Sequence, residues 1–281
     1  MRIHRQMILC AGILLYLGSP LQAGSRDKEK IPVEMRDERF RQRWTVVPSY
    51  SYSFFNKGRQ AWQEERVEIY FQPCRQLVVG AEIDIMQRPP AGTDIYYSGF
   101  ANWYATKYLE LRGKITFSPN PKFSAKQIYS GGIQYQLAPR IAVMLDYDHF
   151  NFVQGPIDQL RPGLMLGITE NTFFTVRYVR GWAFGNLEYN YYSAALDIGL
   201  PGKRRLNLAV AYGTDPNSEA GSNGGYLNTL SPAWTYSAFF TQPITEDLKI
   251  FAGVQYVYRL KRTGGELYQQ LTPTIGLAWR F

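Results

Sequence analysis

The end of the chain alternates without interruption. After Pro273, the residues Ile275, Leu277, Trp279 and Phe281 fall on one face and Thr274, Gly276, Ala278 and Arg280 on the other, the period-two pattern of a strand with one apolar face. Pro273 suits the start of such a strand, where its missing N–H costs least. The pattern recurs back to Trp44. Val67, Ile69 and Phe71 alternate with Arg66, Glu68, Tyr70 and Gln72, and Leu77, Val79, Ala81, Ile83 and Ile85 with Gln76, Gly80, Glu82 and Asp84. Leu109, Leu111, Ile115 and Phe117 alternate with Glu110, Arg112, Lys114 and Thr116, and Ile141, Val143, Leu145 and Tyr147 with Met144, Asp146 and Asp148. Further ribbons start at Leu206 and Ile250. Most runs last about 9–12 residues, the length a tilted strand needs to cross a hydrocarbon layer. Strands of soluble sandwiches average about 5–6. Backbone groups in lipid must pair within the sheet, so spanning strands must close into a barrel. The expected fold is therefore an all-β, closed antiparallel transmembrane barrel.

Breaks between the runs are of two kinds that alternate along the chain. Short ones fall at 72–75, 105–107, 137–139, 170–171, 200–204 and 242–247; longer or more polar ones at 56–60, 87–92, 118–122, 151–157, 181–186, 213–225 and 261–266. Short turns belong on the periplasmic side and long loops outside. This pattern gives about 14 strands with both termini periplasmic. The stretches 155–169 and 187–198 alternate least clearly, and without them the count would be 12. Aromatic residues gather near run ends, at Trp44, Tyr96, Tyr97, Trp103, Tyr104, Trp182, Tyr191, Tyr192, Trp234 and Tyr236, as interfacial girdles require. The alternating aromatic terminus of Leu277, Trp279 and Phe281 fits an outer-membrane assembly signal, which makes the barrel assembly machinery and outer-membrane lipid the expected partners.

Residues 1–23 form an expected signal peptide. Arg2, His4 and Arg5 are its basic head, an apolar stretch follows, and Ala23 ends a small-residue exit. Cys10 lies inside the apolar stretch behind Leu9, which does not fit a lipid-anchor site. Residues 24–42 carry charges of mixed sign without apolar periodicity and read as a solvated periplasmic tail, leaving 43–281 for the barrel. The net charge of +8 is scattered and forms no basic stripe, so nucleic acid is not an expected partner.

Several segments resemble the YaiO-like outer-membrane β-barrel family. They are Phe117-Ser-Pro-Asn-Pro-Lys-Phe123, Gly132-Ile-Gln-Tyr-Gln-Leu137, Tyr147-Asp-His-Phe-Asn-Phe152, Tyr212-Gly-Thr-Asp-Pro-Asn217 and Gln242-Pro-Ile-Thr-Glu-Asp-Leu248, ahead of the Trp279-Arg-Phe281 terminus. The resemblance runs from about Trp44 to Phe281 and rests on the order of short motifs. It implies an outer-membrane barrel without an assigned activity and a connection to envelope polysaccharide. Helical repeats that relatives carry ahead of the barrel have no counterpart in the short charged tail. A fold and a location transfer this way; a mechanism does not.

Chemistry is sparse. Beyond residue 23 the chain has a single histidine, His149, and a hydroxyl nucleophile needs an adjacent base. Two residues beyond His149 stands Asn151 rather than Ser, and a neighbouring-strand Ser130 is specified by nothing in the pattern. The expectation is no enzyme and no cofactor, with His149 as a rim residue bonded to a carboxylate. Asp146 and Asp148 share a face and suit a hard cation, but Arg112, Lys114, Arg161 and Arg177 belong to the same lumen, and mutual neutralisation is the simpler account. Asp215 and Glu219 form a weak calcium candidate, and Cys74 falls in a periplasmic turn as a free thiol. Candidate lumen residues are Glu68, Glu82, Asp84, Glu110, Arg112, Lys114, Asp146, Arg177 and Arg259. Planar polar groups beside aromatic faces suit sugar rings, so oligo- or polysaccharide is the expected cargo of a narrow pore or of an export or anchoring component. The alternative is a structural or adhesive barrel with a plugged lumen and partner-binding loops. A lipid-modifying enzyme centred on His149 comes third.

Overall fold

A computed structural model describes residues 43–281 except 90, 154, 184–186, 221–225 and 262–263; the expected signal peptide and charged tail lie outside the described residues. Fourteen strands follow in order: β1 (Arg43–Phe55), β2 (Trp62–Cys74), β3 (Leu77–Arg88), β4 (Gly92–Tyr104), β5 (Leu109–Phe117), β6 (Gln127–Ala138), β7 (Ile141–Phe152), β8 (Gly155–Gly167), β9 (Thr172–Ala183), β10 (Leu187–Leu200), β11 (Arg204–Ala220), β12 (Tyr226–Pro243), β13 (Leu248–Leu260) and β14 (Glu266–Arg280). Each pairs antiparallel with its sequence neighbours, and β1 pairs with β14 to close the barrel. The two weakly alternating stretches are β8 and β10, which excludes a count of twelve.

Parity sorts the side chains. Ile115, Ile133, Leu145, Ile275 and Leu277 are exposed on the outside, while their neighbours Thr116, Asp146 and Ala278 are buried within. The outer surface is thus an apolar belt, the surface a bilayer-spanning barrel needs. Toward the loop end of the barrel an aromatic row crosses five strands through directly opposed residues: Tyr178, Tyr192, Tyr212, Trp234 and Tyr258. Trp44, Trp103 and Trp279 mark the opposite margin, at the end that carries the short turns and the Trp44–Phe281 backbone pair. Tyr96, Tyr104 and Tyr191 depart from the girdle expected of them, because adjacent aromatics on a strand must face opposite ways and Tyr97, Trp103 and Tyr192 take the outside.

Inside, large rings lie over glycines directly across the ladder. Phe100 covers Gly80, Tyr189 covers Gly181, Phe239 covers Gly253 and Phe251 covers Gly276. A Cβ at Gly181 would stand 2.0 Å from the Tyr189 ring, so only glycine admits the close approach.

Three expected loops are largely strand. Pairing continues to Phe152 and resumes at Gly155, continues to Ala183 and resumes at Leu187, and runs to Ala220 before resuming at Tyr226. Backbone pairing does not require apolar alternation once a hairpin rises above the lipid, so polar sequence there hides strand.

Candidate functional site: the barrel lumen

The wall from β2 to β9 carries a chain of ion pairs across the inner surface. Arg66 meets Asp84 directly across the ladder at 3.1 Å and also binds Glu64 on its own strand. Lys114 on β5 reaches Glu82 on β3 at 2.9 Å, past Ser98 on β4, whose hydroxyl hydrogen-bonds that of Thr116. Tyr70 donates to Glu68. Asp146 is the hub: fully buried at 0% exposure, it accepts from Arg112 at 2.7 Å and from Arg177 at 2.5 Å. Asp148 pairs with Arg161 at 2.5 Å.

Glycines seat this network. Gly132 lies opposite both Arg112 and Asp146, and a Cβ there would stand 2.1 Å from Asp146 Oδ1 and 3.3 Å from Arg112 Nε. Gly163, opposite Arg177, makes room for that side chain in the same way. Asp146 and Asp148 are therefore matched by arginines, as the neutralisation account expects. Among the described residues no group of three or more metal-ligating side chains is assembled.

Of the sequence candidates, Glu68, Glu82, Asp84, Arg112, Lys114, Asp146 and Arg177 gather on this wall. Glu110 is buried on β5 nearer the turn end. Arg259 stands apart on β13, its guanidinium 5.6 Å from the Tyr268 ring. Glu64 and Arg66 belong to the network too, and the parity that placed Glu68 inside places them with it.

The loop end is narrowed by a feature that no sequence motif announced. Between β5 and β6 the chain folds inward, burying Phe123, Ser124 and Ala125. Asp94 on β4 holds it, accepting from the backbone N–H groups of Lys122 (2.7 Å), Phe123 (3.2 Å) and Ser124 (3.0 Å), and from the Ser124 hydroxyl. The Arg88 guanidinium lies 4.8 Å from both the Phe123 and Trp62 rings. Phe123 and Ala125 join Met86, Tyr96, Ile128, Phe150, Phe152, Ile157 and Tyr189 in an apolar cluster inside the barrel.

The remaining wall, β11 to β14 and β1, is neutral at mid-depth. Its inward polar residues are Thr235, Ser237, Gln255, Gln270, Thr272, Thr274, Ser53 and Ser51, beside the buried Phe239, Phe251, Val257 and Val47, with Arg205, Lys249 and Arg259 kept toward the ends. Hydroxyls bond across the closing seam: Ser51 with Thr274 and Ser53 with Thr272, each at 2.8 Å. Gln270 donates to Ser53 and Thr272.

His149 is on the outer face. Its Nδ1 lies 2.8 Å from Asp158, which also accepts from the Tyr147 hydroxyl at 2.5 Å. Ser130 sits opposite Asp148 on the inner face, so the sheet itself separates Ser130 from His149. Cys74 ends β2, exposed and free. The side chains of Asp215 and Glu219 lie outside the described ones.

No family model matches the chain, and no curated protein matches it as a relative. Solved structures do. The chain is similar to the CymD monoaromatic hydrocarbon channel (TM-score 0.58, 10% identity, covering 87% of this chain and 89% of that one). It is similar to a bacterial polysaccharide outer membrane secretin (TM-score 0.53, 8% identity, 87% and 100%) and to the NanC porin (TM-score 0.50, 10% identity, 83% and 98%). At such identities the likeness is one of fold, and the shared fold is the outer-membrane type of closed antiparallel barrel.

Proposed function

We propose that the protein is an outer-membrane barrel whose lumen forms a narrow passage for uncharged or zwitterionic saccharide, as a pore or export component of surface-polysaccharide traffic. Outer-membrane placement is supported by the apolar belt with aromatic margins, which has no favourable exposure in water, and by the kind of barrel the chain resembles. The observation that carries the passage reading is the division of the lumen. One wall holds its charges in ion pairs, and the other offers a column of neutral hydroxyl and amide groups. A neutral solute exchanges hydrogen bonds with such a column without stripping water from a fixed charge. The YaiO-like motifs and the likeness to a polysaccharide secretin support the saccharide class. The signal peptide, cleavage after Ala23 and contact with the barrel assembly machinery through Leu277, Trp279 and Phe281 are parts of the same proposal, as is the absence of enzymatic activity.

The test is single-channel conductance of the reconstituted protein in a planar bilayer, with and without neutral oligosaccharide. Reproducible steps that oligosaccharide blocks are the expected result. Steps indifferent to sugar would remove the cargo assignment. Silence would favour the second reading, a plugged structural barrel, for which the burial of Asp146 and Asp148 and the inward-folded loop speak.

A further inference from the structure

The ladder that closes the barrel has a fault made of two missing donors, four positions apart. Backbone bonds at the two ends of the β1–β14 seam fix its phase: Trp44 and Phe281 exchange both bonds at 3.0 Å, and Asn56 N–H donates to Gln269 O at 3.2 Å. Hydrogen-bonded pairs recur at every second position of an antiparallel ladder, so the positions between include Pro48 opposite Leu277 and Tyr52 opposite Pro273. Each of these pairs contains a proline, which has no N–H to give. The register itself holds, with Val46 opposite Trp279, Ser49 opposite Gly276, Ser51 opposite Thr274 and Phe54 opposite Leu271. Each proline therefore removes one N–H donor from an otherwise aligned ladder. On the other edge of β14 the pairing with β13 is unbroken from Trp279 to Tyr268, and Pro48 keeps its place opposite Val67 on β2.

The fault lies within the belt, since Tyr50, Leu271, Ile275 and Leu277 around it are exposed apolar residues. At that depth no water is available to a carbonyl that lacks a donor. Directly behind the fault, on the lumen side, the seam is held by the hydroxyl rungs Ser51–Thr274 and Ser53–Thr272. Such bonds contribute little net free energy, and a ligand bearing hydroxyl or amide groups can replace them.

We infer that the β1–β14 seam opens laterally, connecting the hydroxyl column of the lumen with the surrounding bilayer and admitting molecules that combine an acyl chain with a hydroxyl-rich head. The head exchanges hydrogen bonds with Ser51, Ser53, Thr272 and Thr274 while the chain stays in the hydrocarbon. This stands apart from the passage reading, because it requires neither conductance nor a saccharide cargo.

Two measurements test it on the full chain in phosphatidylcholine vesicles. Amide exchange of the unmodified protein compares the two edges of one strand. The Ile275 and Leu277 N–H groups face β1, whereas those of Thr274 and Gly276 face β13, a phase fixed by the Arg280 N–H bond to Asp247. Exchange at least tenfold faster on the β1 edge is expected. In a Cys74→Ser background, a bimane on Gln270→Cys reports from inside the lumen, and doxyl-labelled acyl chains in the vesicles are expected to quench it. Adding Pro48→Ala and Pro273→Ala restores both donors, so it should level the exchange rates and abolish the quenching. Equal protection on the two edges of β14 in the unmodified protein would overturn the proposal, as would quenching that persists unchanged once the prolines are replaced. A heat-modifiable gel shift identifies folded protein in every arm, and the exchange arm needs no substitution.

Discussion

The two walls of the lumen are built from the same strand geometry and behave as opposites. From β2 to β9 the inner surface is crowded with acids and bases that satisfy one another, through Arg66–Asp84, Lys114–Glu82, Arg112–Asp146–Arg177 and Arg161–Asp148. From β11 round to β1 its polar groups at the same depth are hydroxyls and amides, set among buried Phe239 and Phe251. Charges out of water are tolerable only when paired, and once paired they resist rearrangement, because removing one strands its partner. Hydroxyl bonds carry no such penalty. The charged wall thus fixes the barrel's shape, and the neutral wall is where exchange with a solute or opening of a seam is cheap. A lumen lined evenly by either chemistry could not do both.

The sharpest way to break this division is at its hub. Asp146→Ala leaves Arg112 and Arg177 facing each other with no counter-charge, and a loss of about 3–5 kcal/mol is expected. Urea unfolding in lipid vesicles, followed by the heat-modifiable gel shift, would measure it; a loss under about 1 kcal/mol would mean that water already screens the network. Next in size is the latch on the inward loop. Asp94→Ala removes the acceptor shared by Lys122, Phe123 and Ser124. The freed N–H groups of the released loop turn to water, so the expected net loss is that of a single hydrogen bond to a charged group, about 1.5–3 kcal/mol. The expected outcome is protease cleavage within residues 118–126 and larger conductance steps, with cleavage elsewhere unchanged.

Smaller again is the effect at the glycine seats. Gly132→Ala pushes a methyl group into the Asp146 carboxylate, and overpacking costs about 1–3 kcal/mol. Gly99→Ala is the control, since its Cβ would meet nothing within 4 Å, and a change within about 0.5 kcal/mol is expected there. Equal losses at the two sites would show that intrinsic strand preference rather than the seat governs these positions.

How far the sequence reveals this arrangement depends on which rule governs each residue. Parity is local, so Glu82, Asp84, Arg112, Lys114 and Asp146 are legible as inward residues, and Phe281 closes the last strand visibly. Pro273, which reads as the first residue of that strand, stands instead in the middle of Glu266–Arg280. Partnership is not local. Arg112 on β5 meets Asp146 on β7 only because Gly132 leaves a gap on the strand between them, a relation that requires the register of three strands at once. The expected loops at 151–157, 181–186 and 213–225 mislead for a different reason. There the lipid no longer selects apolar residues on one face, while the backbone continues to pair. The Asp94 latch is illegible because a polar loop that turns inward has the same composition as one that turns out. Pro48 is visible in the sequence, but its missing donor falls on the seam only through the phase set by Trp44 and Phe281.

The finest cut falls on the neutral wall. Thr274→Val keeps the shape of the side chain and deletes one rung, leaving the part-buried Ser51 hydroxyl to bond water. One neutral hydrogen bond contributes about 1 kcal/mol, so unfolding should shift by no more than that. Through the same bond, oligosaccharide block of the conductance should weaken by about fivefold. Ion selectivity should stay where it was, because no charge on β2 to β9 has moved. That combination separates the walls functionally: the substitution is nearly silent in stability and visible only to a neutral solute. If selectivity shifted as well, the two walls would be coupled through the lumen water, and the hydroxyl column would have to be treated as part of the charged network rather than as its counterpart.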